Sequence, residues 1–138
     1  MFKDIKILQV FKGFLTEAVE KYDCVVPVYC PMPDHLHVVT TGCSASSKGK
    51  TAIEEFKHRS GDWLAEFSPS FHWQKDFHDH IIRHRDDRAA QVRYVLRNPV
   101  RAGLVESFMD YPGLGSIGID LVEYLRDLDE DEKFGGGF

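Results

Sequence analysis

The stretch CVVPVYCPMPDHLHVVTTG (residues 24–42) decides the fold, because it contains two apolar, β-rich runs joined by a turn. Valine and threonine favour strands, and the proline-rich PMPD segment (31–34) is typical of a turn. The sequence therefore predicts a hairpin of two strands, at 24–30 and 35–41. Pro27 lies inside the first strand and predicts an edge position or a bulge there, because proline has no N–H to donate to a neighbouring strand.

Helical periodicity flanks the hairpin on both sides. Apolar side chains recur at helical spacing over residues 4–22, and a second helix is predicted at about 51–67. A strand at 71–83 precedes a helix at 87–97. We expect this last helix to end at the residue before Pro99, since proline disfavours the helical conformation in its predecessor. This order of elements predicts an α+β fold in which helices pack against an antiparallel sheet.

Length and composition are those of an ordinary globular domain. The chain has 138 residues, of which 43% are hydrophobic and 28% charged, so one domain is expected. No apolar run reaches the roughly 20 residues of a membrane span, which predicts a cytoplasmic protein without a membrane partner. Its three cysteines form no C-x-x-C pair, which argues against a disulfide scaffold or a cysteine zinc site.

The acidic residues are concentrated near the C-terminus. Residues 120–133 contain seven acidic residues and two basic ones, so this segment accounts for the whole net charge of −5. The rest of the chain is neutral overall. We therefore expect one folded domain at 1–115 and an acidic C-terminal tail at 116–138, which is solvated or competes with an anionic partner for a basic surface.

Two histidines in the second predicted strand are candidate metal ligands. His35 and His37 lie two residues apart, so on a strand both imidazoles point to one face while Leu36 points to the other. Two imidazoles at this spacing can bind one divalent cation if a third ligand comes from elsewhere. The H-x-H pattern is common, however, and ordinary surface or core histidines are the alternative.

The helix predicted at 87–97 presents a tyrosine between two amides. Asp87, Gln91, Tyr94 and Asn98 share one helical face, next to an apolar stripe that suits docking on the sheet. A tyrosine at such a boundary is often only a packing residue. Beside a metal ion, a tyrosine hydroxyl can instead attack a phosphodiester. Two histidines and an amide oxygen would form a site for Mg²⁺ or Mn²⁺, of which imidazole favours Mn²⁺.

Three blocks of sequence carry a resemblance to a known family. VYCPMPDHLHVVTTG (28–42), WQKDFHDHIIR (73–83) and RYVLRNPVRAGLV (93–105) resemble, in their order and spacing, the single-tyrosine HUH transposases of bacterial insertion sequences. The REP-associated tyrosine transposases are the most similar branch. The resemblance covers roughly residues 5–112 and includes a DYP motif at 110–112.

This resemblance implies a function for the candidate residues. His35 and His37 match the HUH metal ligands, and Tyr94 matches the nucleophile that cleaves single-stranded DNA and forms a 5′-phosphotyrosine intermediate. Asn98 matches the position of a third metal ligand that is commonly Gln, and Gln91 is a second candidate for that ligand. The family fold is a ferredoxin-like or RRM-like sandwich. Residues 1–115 would be the catalytic domain, the substrates would be DNA hairpins with single-stranded flanks, and the enzyme would be a homodimer.

Two features of the chain differ from the family pattern. The chain opens almost directly with helix residues, whereas family members usually have a strand first, so a truncated copy is one interpretation. That difference and the acidic tail motivate an alternative function, a catalytically inactive relic that binds DNA hairpins. A histidine-dependent nucleotide hydrolase is a third hypothesis, although such enzymes have a further alternating histidine where this chain has Val39.

Basic residues are candidates for contacts to the DNA backbone. We expect them to cluster around the elements that carry the histidines and the tyrosine: Lys48, Lys50, Lys57, Arg59, Arg83, Arg85, Arg88, Arg93, Arg97 and Arg101.

Overall fold

The computed structural model describes residues 5–33, 35–66, 77–82 and 88–127 of the chain. The elements follow in the order α1 (Ile5–Lys21), β1 (Cys24–Pro31), β2 (Leu36–Gly42), α2 (Gly49–Ala65), β3 (Phe77–Ile82), α3 (Arg88–Arg101) and β4 (Gly115–Ile117). A short 3₁₀ helix at Phe108–Asp110 precedes β4, and residues 121–127 are helical. The predicted α+β class is confirmed. The parts of the predicted 71–83 strand at 71–76 and 83 lie outside the described residues.

The four strands form one sheet in the order β3-β2-β1-β4. The predicted hairpin is confirmed, since β1 and β2 pair antiparallel, and β4 pairs antiparallel with the other side of β1. β3 instead runs parallel to β2, with Leu36 opposite Phe77 and Thr41 opposite Ile82. The helix α2 connects these two strands, and a helical crossover returns the chain to the end of the sheet where β2 began.

Helices cover both faces of this sheet. α1 and α2 pack on one face over a core that includes Phe11, Phe56 and Val38. α3 packs on the other face, where Val92 and Val95 contribute to a second core, together with Val28, Val39 and Tyr124. Each core buries apolar surface on one side of the same strands, because successive side chains of a strand point to opposite faces.

Pro27 lies in a central strand. The pairing register of β1 with β2 shifts between Val25 and Val28, which confirms the predicted bulge. The alternative of an edge strand is wrong, because β1 lies between β2 and β4. The carbonyl of Pro27 accepts a hydrogen bond from the hydroxyl of Ser116. The bulge thus accommodates a residue that has no N–H for the ladder.

The helix α3 continues through Pro99, so the prediction that it ends at the preceding residue is wrong. Proline in a helix interior removes one backbone hydrogen bond and costs about 3 kcal/mol. The side chains of Pro99 and the neighbouring Val95 are fully buried, and Leu96 is 4% exposed. The backbone N–H of Leu104 donates to the Pro99 carbonyl, so the helix end stays hydrogen-bonded. Burial of this face outweighs the local preference, as is common for helices in folded domains.

Part of the stretch that the sequence assigns to an acidic tail contributes to the fold. β4 was not predicted, and its Ile117 pairs with Val26 and joins the core under α1 and α2. Tyr124, in the helical residues 121–127, is 5% exposed and belongs to the core under α3. None of the helices in the described ranges is long and apolar enough to cross a membrane.

Candidate functional site

The two histidines of the H-x-H pattern converge at the start of β2. Leu36 points into the core under α1 and α2, so His35 and His37 point to the face that α3 covers. Their Nε2 atoms lie 3.0 Å apart, and their ring centroids are 4.7 Å apart. His37 is 3% exposed and His35 is half-buried. The pair therefore has one ring in the core and one that solvent reaches.

α3 brings the tyrosine to the same place. Val92, Val95 and Leu96 form the buried face of this helix, while Tyr94 is 45% exposed. The ring centroids of Tyr94 and His37 are 6.0 Å apart, and the ring planes are inclined at 77°. The structure thus brings together three of the residues that the sequence singled out, and the tyrosine ring is open to a ligand from solvent.

The geometry of the histidine pair fits a divalent ion. Two adjacent ligands of an octahedral ion, each at about 2.1 Å, lie roughly 3 Å apart. The 3.0 Å between the Nε2 atoms of His35 and His37 matches that separation. When no ion is bound, the same contact is a hydrogen bond in which one Nε2–H donates to the other Nε2.

A third ligand from the described part of the chain would be an amide oxygen. That part contains no group of three His, Cys, Asp or Glu side chains able to hold a metal ion. Asn98 and Gln91 are both half-buried on α3. The Nδ2 of Asn98 is buried and has no hydrogen-bond partner among the described residues. Asp87, which shares their predicted helical face, lies outside the described residues.

The basic residues divide between the two faces of the sheet. Arg59 of α2 forms a 2.7 Å ion pair with Glu17 of α1, in the layer on the opposite face from the tyrosine. Arg97 and Arg101 are exposed, three and seven residues after Tyr94 on α3. The expectation that all these residues cluster around one site is therefore wrong for Arg59, and it lies outside the described residues for Arg83 and Arg85.

A cavity on the α1 side of the sheet does not include the histidine–tyrosine cluster. It has a volume of about 530 Å³ and is bordered by α1, the end of β1 and the segment before β4, with Phe11, Phe56 and Tyr111 among its lining residues. His35, His37 and Tyr94 are not among them. The candidate site thus lies between an interior strand and α3, with His37 buried and Tyr94 exposed.

Two hydroxyl groups near β4 were missed by the sequence reasoning. Tyr111 donates to the carbonyl of Pro31, and Ser116 donates to the carbonyl of Pro27, in both cases over 2.6 Å. Tyr111 belongs to the DYP motif at 110–112, whose pattern predicts no contact, and nothing in the sequence around Ser116 indicates its contact. Burial, and next the neighbouring Cys30 thiol, raise the pKa of Tyr111, so its hydroxyl stays protonated as a donor.

Two curated proteins match this chain, and both carry the name REP-associated tyrosine transposase. One, from Haemophilus influenzae, is 26% identical over 113 residues, which cover 74% of this chain and 64% of that protein. The other, from Escherichia coli, is 31% identical over 85 residues, which cover 59% of this chain and 47% of that protein. The chain is similar in sequence to these two transposases.

The match to these transposases covers only part of each protein. The chain spans about half to two thirds of the length of the two relatives. No protein-family model matches the chain, and no solved structure matches it significantly.

Proposed function

We propose that this relative of the transposases cleaves and rejoins single-stranded DNA through a covalent bond between Tyr94 and a 5′ phosphate. The observation that carries the proposal is the position of the Tyr94 ring. It lies 6.0 Å from the ring of His37, whose Nε2 is 3.0 Å from that of His35. A solvent-exposed phenol beside two converging imidazoles has the parts needed for nucleophilic attack on a phosphodiester.

The proposed cleavage step balances without an external energy source. The Tyr94 oxygen attacks phosphorus and forms a P–O bond, while the bond from phosphorus to the 3′ oxygen of the preceding nucleotide breaks. The phenolic proton leaves to water, which reaches the side chain because it is 45% exposed, and the departing 3′ oxygen takes up a proton. Rejoining is the reverse reaction, in which a 3′ hydroxyl attacks the phosphotyrosine and releases the tyrosine.

His35 and His37 would hold Mg²⁺ or Mn²⁺, with an amide oxygen of Asn98 or Gln91 as a third ligand. A bound ion supplies Lewis acidity, which stabilises the charge that develops on the phosphoryl oxygens. The histidines themselves orient the site, because His37 is fixed in the core and His35 is attached to it through the intervening Leu36. The tyrosine is fixed by the buried side of α3.

The substrate in this proposal is a DNA hairpin with a single-stranded flank, and the enzyme acts as a homodimer. Both statements rest on the resemblance to the transposase family. The exposed Arg97 and Arg101 lie on the helix that carries the tyrosine and are placed to neutralise DNA phosphates. The segment at 116–138 carries the excess acidic charge of the chain.

The experiment uses an oligonucleotide that contains the hairpin flanking the gene, labelled at either its 3′ or its 5′ end. With Mn²⁺ present, a denaturing gel of the 3′-labelled DNA should show a protein adduct. The 5′-labelled DNA should give only a shorter fragment that ends in a 3′ hydroxyl. Tyr94→Phe should form no adduct and keep hairpin binding within a few fold, whereas Tyr22→Phe, a half-buried tyrosine in the other layer, should react normally.

Three outcomes would contradict the proposal in different ways. An undiminished adduct in Tyr94→Phe would remove this residue as the nucleophile. Hairpin binding without cleavage, under either metal, would favour an inactive DNA-binding relic. Hydrolysis of dinucleotides in place of DNA cleavage would favour a nucleotide hydrolase.

A further inference from the structure

Two proline carbonyls of β1 accept hydrogen bonds from side-chain hydroxyls. The Tyr111 hydroxyl donates to the Pro31 carbonyl and the Ser116 hydroxyl to the Pro27 carbonyl, each over 2.6 Å. Both donors come from the segment around β4, and both contacts are partly buried. They differ in place: Pro31 is the last residue of β1, next to the turn that leads to the histidines, whereas Pro27 lies in the interior of the strand.

The Pro31 contact lies directly before the histidine turn. Pro31 pairs with Leu36 across the hairpin, and Cys30 pairs with His37. The turn is closed by the backbone N–H of Met32, which donates to the His35 carbonyl over 2.7 Å. The backbone at Pro31 is therefore linked to the histidines in two ways. Pro31 pairs with Leu36, which lies between them, and the next residue, Met32, is hydrogen-bonded to His35.

Close packing also holds the Tyr111 segment against Pro31. Gly113 has a φ of +89°, and a Cβ at this position would lie 2.9 Å from the Pro31 Cγ. Only glycine combines this backbone conformation with such a close approach. The segment thus contacts Pro31 twice, once through the tyrosine hydroxyl and once through the glycine backbone.

We infer that Tyr111 is a positioning residue for the His35–His37 pair, which it fixes through its hydrogen bond to the Pro31 carbonyl. This inference rests on the proposed function, in which the two imidazoles hold a metal ion beside Tyr94. In this inference Tyr111 acts through the backbone of the turn, by way of the Pro31 carbonyl. The ligands of a metal site stay within a fraction of an ångström of their required positions only when neighbouring residues hold them in place.

The test compares Tyr111→Phe with Ser116→Ala in the full chain. Each substitution deletes one hydroxyl that donates to a proline carbonyl of the same strand, so both should lower the melting temperature by a similar amount, roughly 4 °C. Only Tyr111→Phe should weaken Mn²⁺ binding, by about fivefold, which is the effect of one net hydrogen bond. Titration with Mn²⁺, followed by electron paramagnetic resonance, measures the Kd.

A second readout does not require metal binding or activity. The imidazole nitrogen signals of His35 and His37 in a ¹⁵N-labelled chain, assigned with His→Ala variants, should shift in Tyr111→Phe and stay in place in Ser116→Ala. Unchanged signals and a Kd within twofold in Tyr111→Phe would overturn the inference, as would equal effects of the two variants.

The two proposals fail separately. If the wild-type protein binds no Mn²⁺ and forms no DNA adduct, the proposed function is wrong. The imidazole signals of the same two variants then still decide whether Tyr111 positions the histidines.

Discussion

The ring of Tyr94 lies edge-on to the ring of His37, with centroids 6.0 Å apart and planes inclined at 77°. His37 is 3% exposed and Tyr94 is 45% exposed, so the contact spans the boundary between the core and solvent. His37 belongs to a strand that is paired on both sides, and Tyr94 belongs to a helix whose opposite face is buried. Side chains on such paired and packed elements are held more rigidly than side chains on loops.

The first prediction is that the two histidines contribute similarly to metal binding but differently to the stability of the fold. His35→Ala and His37→Ala should each weaken Mn²⁺ binding by more than tenfold, because each removes one of two imidazole ligands. His37→Ala should also lower the free energy of unfolding by about 1–3 kcal/mol, since truncating a buried side chain loses its packing and leaves a cavity. His35→Ala should cost less, because His35 is half-buried. Urea unfolding measures this difference.

His58→Ala is the control for these substitutions. His58 is exposed on α2 and lies 3.4 Å from the exposed Asp62, and such surface pairs contribute little. Mn²⁺ binding and stability should both stay near the wild-type values. A loss of Mn²⁺ affinity in His58→Ala equal to that of the other variants would contradict a site at the hairpin.

The hairpin and the relative position of histidines and leucine were predictable from sequence because they depend on local rules. Turn residues at 31–34 separate two β-rich runs, and alternation along a strand puts His35 and His37 on the face opposite Leu36. The meeting of His37 with Tyr94 could not be derived from those rules. It requires α3 to cross the face of the sheet opposite α1 and α2, a long-range choice that no local pattern in the helix specifies.

A second prediction concerns the amide ligand. Asn98→Ala should weaken Mn²⁺ binding about tenfold, and Asn98→Asp should restore or exceed wild-type affinity, because a carboxylate oxygen is a stronger ligand for this ion than an amide oxygen. Gln91→Ala should change the Kd by less than twofold. The opposite order, with Gln91→Ala as the weak binder, would assign the third ligand to Gln91.

The third prediction concerns the charge beside the tyrosine. Arg97→Ala combined with Arg101→Ala should reduce the slope of log K against log[salt] for hairpin binding by about 1.4, since each single-strand phosphate contact contributes about 0.7. Lys12→Ala removes an exposed charge from α1, in the other layer, and should leave the slope unchanged. Filter binding measures this slope between roughly 50 and 200 mM salt, the range in which the effect is large.

An unchanged slope in the double arginine variant would show that DNA does not cross α3. A reduced slope in the lysine variant would place the DNA on the opposite face of the sheet. Either result would separate the DNA surface from the Tyr94 side of the molecule.

Three structural features could not be predicted from the sequence because non-local packing decides them. The parallel pairing of β3 depends on the path of the α2 crossover. The three residues of β4, Gly115–Ile117, are too short and too glycine- and serine-rich to signal a strand. Pro99 is a local helix breaker whose burial reverses the local preference. In each case the contact that decides the outcome comes from a distant part of the chain.

A fourth prediction uses the three cysteines as probes of the fold. Burial raises the pKa of the Cys30 thiol to about 12, and burial is also the first cause that raises the pKa of Cys24. Cys43 is exposed. Since the thiolate is the reactive form, a disulfide reagent at pH 8 should modify one thiol rapidly in the native protein and three after unfolding. Cys43→Ala should abolish the rapid reaction, and a rapid phase that persists would show that the buried cysteines are accessible.

The same pKa shift predicts a loss of stability in alkali. An unfolded thiol has a pKa near 8.5, below that of Cys30 in the folded chain, so the unfolded state releases its proton first as the pH rises. The stabilisation is fully present below about pH 8.5 and is lost progressively as the pH rises towards 12. The free energy of unfolding should therefore fall between pH 8 and 10, by up to about 1 kcal/mol per pH unit from this group. Cys30→Val has no proton to release at this position, so urea unfolding of that variant should show a shallower fall, and an equal slope in both proteins would contradict the burial of this thiol.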